Sequence, residues 1–85
     1  MKYIIRYKRT ASDELLQLPA AMARKALALI NGLAEDPRPH NCKKMKGTEN
    51  AYRLRFGNYR IVYTISDAIL IITVIKVAHR KHVYR

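Results

Sequence analysis

The sequence predicts an α+β domain: a small, twisted, mainly antiparallel four-stranded sheet in the order β-α-α-β-β-β, with a helical pair packed on one face. Three observations lead there. Apolar residues recur at helical spacing between residues 20 and 34, and after residue 50 the period falls to two. Two of the later alternating runs are separated by Gly57 and Asn58 alone, a tight hairpin signal of the Gly-X type. At 85 residues the chain makes one domain, residues 1-85, with room for a single small core.

The elements follow in order. "KYIIRYK" (Lys2 to Lys8) alternates, with Tyr3, Ile5 and Tyr7 on one face, and predicts the first strand. Thr10 offers a helix cap with Asp13 three residues on, so a short helix is expected through "ASDELLQL". Pro19 suits the first turn of a second helix, where its missing N–H is no loss. Met22, Ala26, Ile30 and Leu33 form the core stripe of that helix, with Ala23, Leu27 and Ala34 beside them. "EDPRPHN" ends it, because Asp36 before Pro37 is pushed out of the α region and Pro39 blocks continuation. "CKKMKGTEN" reads as a polar connection. "AYRLRF" (Ala51 to Phe56) and "YRIVYTI" (Tyr59 to Ile65) are the hairpin strands. Ser66 and Asp67 make a second turn, and "AILIITVIKV" (Ala68 to Val77) is an apolar, β-branched run fitting a strand buried on both faces.

Composition narrows the function. Seventeen Lys and Arg against six Asp and Glu leave a formal charge of +11. Such a charge opposes compaction, and a polyanionic partner accounts for it better than solubility, which mixed signs serve. No segment approaches the ~20 apolar residues of a membrane span, and "MKYIIRYKRT" has no apolar core of a secretory signal. No membrane association and cytoplasmic residence are therefore expected. Cys42 is the single cysteine, in keeping with a reducing compartment, and carries no assigned role.

With Gly57 and Asn58 as the loop, Phe56 faces Tyr59, Arg55 faces Arg60, Leu54 faces Ile61 and Arg53 faces Val62. Arg53, Arg55 and Arg60 then share one sheet face, and Tyr52, Leu54, Phe56, Tyr59, Ile61 and Tyr63 share the other. Like charges directly across a strand pair are unfavourable, so Arg55 opposite Arg60 points to an anion between them. The guanidinium fork suits phosphate, and the three arginines read as a phosphate cradle. The chain ends on "HRKHVYR", and Arg80, His82 and Tyr84 come within reach of that face in a meander. Nearby cations favour phenolate over phenol, so Tyr84 can take the proton of a ribose 2′-hydroxyl while the arginines stabilise charge on the phosphorus oxygens. His82 competes as the base. No metal or other cofactor is expected: carboxylates are scarce, and His79 with His82 is a weak zinc signal. Lys43, Lys44 and Lys46 of the polar connection, with Lys81 and Arg85 of the tail, are expected as further RNA contacts.

The element order, the "LAEDPRP" helix exit, "KKMKGTENAYRLRFGNYRIVYTI" and the ending "VIKVAHRKHVYR" resemble the RelE toxins of the RelE/ParE superfamily, over essentially the whole chain. The resemblance implies a ribosome-dependent mRNA endonuclease held in check by an antitoxin, in a toxin-antitoxin hetero-oligomer. Carried over by motif, it implies roles for Arg53 and Arg55 on the strand before the hairpin, Arg60 after it, Arg80 after the last strand and Tyr84 near the end. Best-known members have lysines at these two positions; the arginines here keep the charge and remove an ammonium proton donor. The basic surface adds the expectation that the antitoxin is acidic. Two other functions fit the same fold: a ParE-like DNA gyrase inhibitor, and a nonenzymatic protein that binds RNA or the ribosome. A terminal phenol among cations favours the nuclease.

Overall fold

A computed structural model describes residues 2–79 of the chain. Seven elements follow one another: β1 (Ile4–Tyr7), α1 (Arg9–Leu16), α2 (Ala20–Gly32), β2 (Cys42–Lys44), β3 (Ala51–Phe56), β4 (Tyr59–Ser66) and β5 (Ile71–His79). The sheet has five strands in the order β1-β5-β4-β3-β2. The expected four-stranded, mainly antiparallel sheet is thus corrected on two counts. The polar connection contains a strand, since Cys42–Lys44 pairs antiparallel with β3. The sheet is also mixed, because β1 runs parallel to β5. Both helices lie between β1 and β2 in the chain, so β1 and β2 are free to occupy opposite edges while β2 to β5 form the meander.

One face of the sheet carries the helices. Leu54, Phe56, Ile61, Tyr63, Ile65, Ile72, Val74 and Val77 meet Ala11, Leu15, Ala26, Ile30 and Leu33 in one cluster. Alternation alone would send Lys76 into that core and Val77 out of it. A register shift between Val62 and Tyr63 prevents this: Val62 pairs with Lys76 and Tyr63 with Val74, leaving Ile75 as the extra residue of a bulge. The bulge resets the phase, and Val77 is buried at 2 % exposure.

Local expectations differ from the structure at three places. The N-cap of α1 is Lys8 with no side-chain cap bond, so Thr10 lies inside the helix and the expected capping pair with Asp13 does not form. Pro19 is the N-cap of α2 and stands just before its first turn. β5 starts at Ile71 because residues 67–70 form a turn, in which Leu70 adopts a φ of 55°. Of the α2 stripe, Ala26, Ile30 and Leu33 are buried and Met22 packs at the rim, while Leu27 is 41 % exposed.

The "DPRP" loop does more than stop a helix. Arg38 forms an ion pair with Asp67 at 2.8 Å, its Nε–H donates to the Tyr52 hydroxyl at 3.0 Å, and its guanidinium lies 5.3 Å from the centre of the Tyr52 ring. The Tyr3 hydroxyl donates to the other oxygen of Asp67 at 2.6 Å, and the Tyr63 hydroxyl donates to the Pro37 carbonyl at 2.9 Å. One loop thereby ties β1, β3, β4 and the β4–β5 turn together. Arg38, followed by the Tyr3 hydroxyl, holds the Asp67 carboxyl below its ordinary range, and burial pushes the Tyr63 phenol up.

Candidate functional site

The open face of the sheet is built by the hairpin. Gly57 takes a φ of 55°, a conformation that favours glycine, and Asn58 completes the two-residue turn. The register is the one expected: Phe56 pairs with Tyr59, Arg55 with Arg60, Leu54 with Ile61 and Arg53 with Val62. Because Leu54, Phe56 and Ile61 are in the core, Arg53, Arg55 and Arg60 share the face away from the helices.

The three arginines are not equivalent. Arg55 is exposed, Arg53 is half-buried, and Arg60 is buried at 2 % exposure between Arg55 on β3 and Ala78 on β5. A buried cation keeps its geometry and acts through a lower effective dielectric than a surface one. Arg60 is therefore a fixed positive charge beneath the face, and Arg55 is its exposed neighbour. Between themselves the two like charges repel, a pairwise effect of a few tenths to about 1 kcal/mol across a ladder.

The lysines of the former connection divide. Lys43 pairs with Arg53 and shares the arginine face, whereas Lys44 pairs with Tyr52 and belongs to the opposite one. Lys46 lies in the turn beyond β2, next to Gly47 at a φ of 76°. Asn41, Lys43, Arg53 and Arg55 together line a small cleft of about 50 Å³. Asn41 was not legible as a site residue, because only the pairing of β2 with β3 brings it there.

Where the chain leaves β5, the side chains of Tyr59 and His79 lie on the helix-bearing side, opposite the arginines. His79 pairs with Tyr59, one residue from Arg60, and the two rings meet edge to face at 5.2 Å. Phe56 stacks on Tyr59 at 5.5 Å. Past the end of β1 the open edge of β5 is covered by Glu14 of α1, which accepts the Val77 N–H at 2.9 Å and pairs with Lys76 at 3.1 Å. A groove of about 470 Å³ runs here between the end of α1 and β5, lined by Glu14, Leu18, Tyr59, Lys76 and His79 among others. Arg80, Lys81, His82, Tyr84 and Arg85 lie outside the described residues. Among the described residues, no three His, Cys, Asp or Glu side chains converge as metal ligands, and no helix is long and apolar enough to cross a membrane.

Residues 5–84 match the family described as the ParE toxin of type II toxin-antitoxin system, parDE. The chain belongs to the RelE/ParE superfamily of type II toxins. Within the superfamily it is similar to RelE1 of Methanocaldococcus jannaschii, at 30% identity over 90 residues, covering 100% of this chain and 98% of that protein. Toxin RelG of Mycobacterium tuberculosis is 27% identical over 86 residues, covering 100% and 99%. Among solved structures, the archaeal RelE–RelB complex from Pyrococcus horikoshii superposes with a TM-score of 0.85 at 28% identity, covering 96% of this chain and 99% of that one. These similarities place the chain with the RelE-type toxins.

Proposed function

We propose that this RelE-type toxin is a ribosome-dependent mRNA endonuclease that needs no metal and arrests translation. The observation that carries the reading is the pairing of Arg55 with a buried Arg60 on an open sheet face shared with Arg53. Like charges opposed across a strand pair favour an anion bound between them, and the guanidinium fork suits a phosphate. The similarity to RelE-type toxins agrees with a ribonuclease reaction.

In the proposed reaction a ribose 2′-oxygen attacks the adjacent phosphorus. A 2′-O–P bond forms, the P–O5′ bond breaks, and the products are a 2′,3′-cyclic phosphate and a free 5′-hydroxyl. Tyr84, as phenolate, takes the 2′-hydroxyl proton, with His82 as the competing base; the 5′-oxygen leaves with a proton from the protonated partner of that pair. Arg53, Arg55 and Arg60 stabilise the charge on the phosphorus oxygens, and Arg80 adds to it, its high intrinsic pKa suiting it to charge stabilisation over proton transfer. The paucity of acidic side chains, six in all, agrees with a route that uses cations already in the protein.

The partner is an antitoxin, as in the RelE–RelB complexes of similar fold. A formal charge of +11 calls for an acidic binding segment. Apolar surface stands ready for it in the groove between α1 and α2, lined by Tyr7, Leu15, Leu16, Leu18, Ala23 and Leu27, where Leu16 is 84 % exposed.

Mapping 5′ ends of messenger RNA after induction tests the reading. Codon-phased new ends are expected from the wild type, and none from Arg60→Ala or Tyr84→Phe variants whose folded state is verified by circular dichroism. Cleavage by the folded double variant at the wild-type rate refutes the site. The ParE description of the matching family favours a second reading, gyrase inhibition, which predicts DNA damage without new RNA ends.

A further inference from the structure

The cleft lined by Asn41, Lys43, Arg53 and Arg55 is separate from the buried Arg60, which does not line it. We propose that it is a second phosphate site, holding a phosphodiester that neighbours the reacting one and anchoring the RNA on the sheet. The proposal rests on the nuclease reading and adds two residues, Asn41 and Lys43, as positioning residues.

Geometry separates the two sites. Lys43 sits across from Arg53, and Arg55 sits across from Arg60. Two strand spacings across the sheet and two residues along it put the Lys43 and Arg60 backbones about 12 Å apart. By the same register Asn41 falls across from Arg55, two strand spacings or about 10 Å from the Arg60 backbone, and its short side chain serves an anion held on the β2–β3 side. The cleft has room for one phosphoryl group. Its lining supplies three cations and an amide donor, with no carboxylate among the residues that form it. Arg53 and Arg55 border the cleft while standing on the face of Arg60, so one arginine pair spans both phosphates and links them in a fixed spacing.

β2 gives the site its reason to exist. A three-residue edge strand with two lysines adds little to the core, yet its pairing with β3 is what sets Lys43 beside Arg53. Charge at an edge also discourages strand addition by another chain. That role alone does not require Lys43 to share a cleft with Arg53 and Asn41, and Lys44, on the other face, serves it equally.

The test uses the intact toxin and ribosomes programmed with an mRNA whose scissile nucleotide carries a 2′-O-methyl group, so that binding is read without cleavage. Lys43→Gln is expected to weaken binding about tenfold, the scale of one charge-assisted contact, and Asn41→Ala to weaken it less. Lys43→Arg restores binding. On cleavable mRNA, Lys43→Gln raises the toxin concentration needed for half-maximal rate and leaves the single-turnover rate at saturation unchanged, the mark of a contact made equally in ground and transition states. A neutral methylphosphonate placed in turn at each linkage flanking the scissile one gives the decisive comparison. At one of the two it weakens wild-type binding, and it weakens Lys43→Gln by a clearly smaller factor, because Arg53 and Arg55 still contact the phosphate while Lys43 no longer does.

The proposal is overturned if neither linkage shows that reduced sensitivity, or if Lys43→Gln lowers only the saturated rate. It is also overturned if Lys43→Gln weakens antitoxin binding and leaves mRNA binding unchanged, which would make the cleft a carboxylate site for the antitoxin. If the wild type binds with the predicted sensitivities but cuts no mRNA, the nuclease reading fails and the phosphate site stands.

Discussion

Glu14 offers the sharpest test of how the helices hold the site. Its carboxylate accepts the Val77 N–H at 2.9 Å and pairs with Lys76 at 3.1 Å, while its side chain remains 29% exposed. A backbone N–H bound to a charged acceptor contributes about 1.5–3 kcal/mol. Partial exposure lets water replace some of it, so the lower half of that range applies. The ion pair itself, with Lys76 45% exposed, contributes under about 1 kcal/mol. Glu14→Ala is therefore expected to cost about 2 kcal/mol and to lower the melting temperature by about 10 °C, at 4–8 °C per kcal/mol for a domain of this size. Glu14→Gln keeps an acceptor oxygen and should lose about half as much. Lys76→Met should lose about 0.5 kcal/mol. Thermal unfolding followed by circular dichroism, without antitoxin because a bound partner raises apparent stability, measures all three. Equal shifts for Glu14→Ala and Lys76→Met would refute the reasoning, since they would assign the whole effect to the ion pair and none to the Val77 N–H.

Two further outcomes are expected. Arg55→Thr removes the repulsion against Arg60 and raises stability by a few tenths to about 1 kcal/mol, while it lowers mRNA cleavage; a variant both less stable and equally active would contradict the opposed-pair argument. Asp67 has its pKa lowered on folding by Arg38 and then Tyr3, so its stabilising contribution is full above the unfolded-state value of about 3.9 and is lost as pH falls through the lower folded value. Asp67→Asn should accordingly flatten the stability profile below about pH 4, as read from urea midpoints at successive pH values; an unchanged acid slope would exclude the Arg38 and Tyr3 contacts as its cause.

Much of the site was legible because the hairpin is specified locally. A Gly-Asn turn between two alternating runs fixes the register, and the register alone puts Arg53, Arg55 and Arg60 on one face. The burial of Arg60 was not legible, since alternation tells which face a side chain takes and nothing of what lies across from it, here Ala78 on a strand nearly twenty residues away. β2 escaped notice because three residues are too few to show a period, and two of them are lysines. The parallel pairing of β1 with β5 joins segments at opposite ends of the described chain and leaves no local signal. The same is true of Glu14, whose partners Lys76 and Val77 are separated from it by more than sixty residues. The Leu70 turn was hidden by its composition: Ala68 to Leu70 are apolar and look like the start of the strand they precede.

The place of β5 in the sheet has a consequence for the protein's own synthesis. Of the described strands it is the last to leave the ribosome, yet it lies between β1 and β4. Until residues 71–79 emerge, β1 has no neighbour in the sheet, the edge of β4 is bare, and Arg60 has no Ala78 opposite it. Pairing the earliest strand with the latest one makes closure of the fold a non-local, late event. The charged face is thus completed after the rest of the described sheet, and a chain still lacking β5 has no buried Arg60 around which to build it.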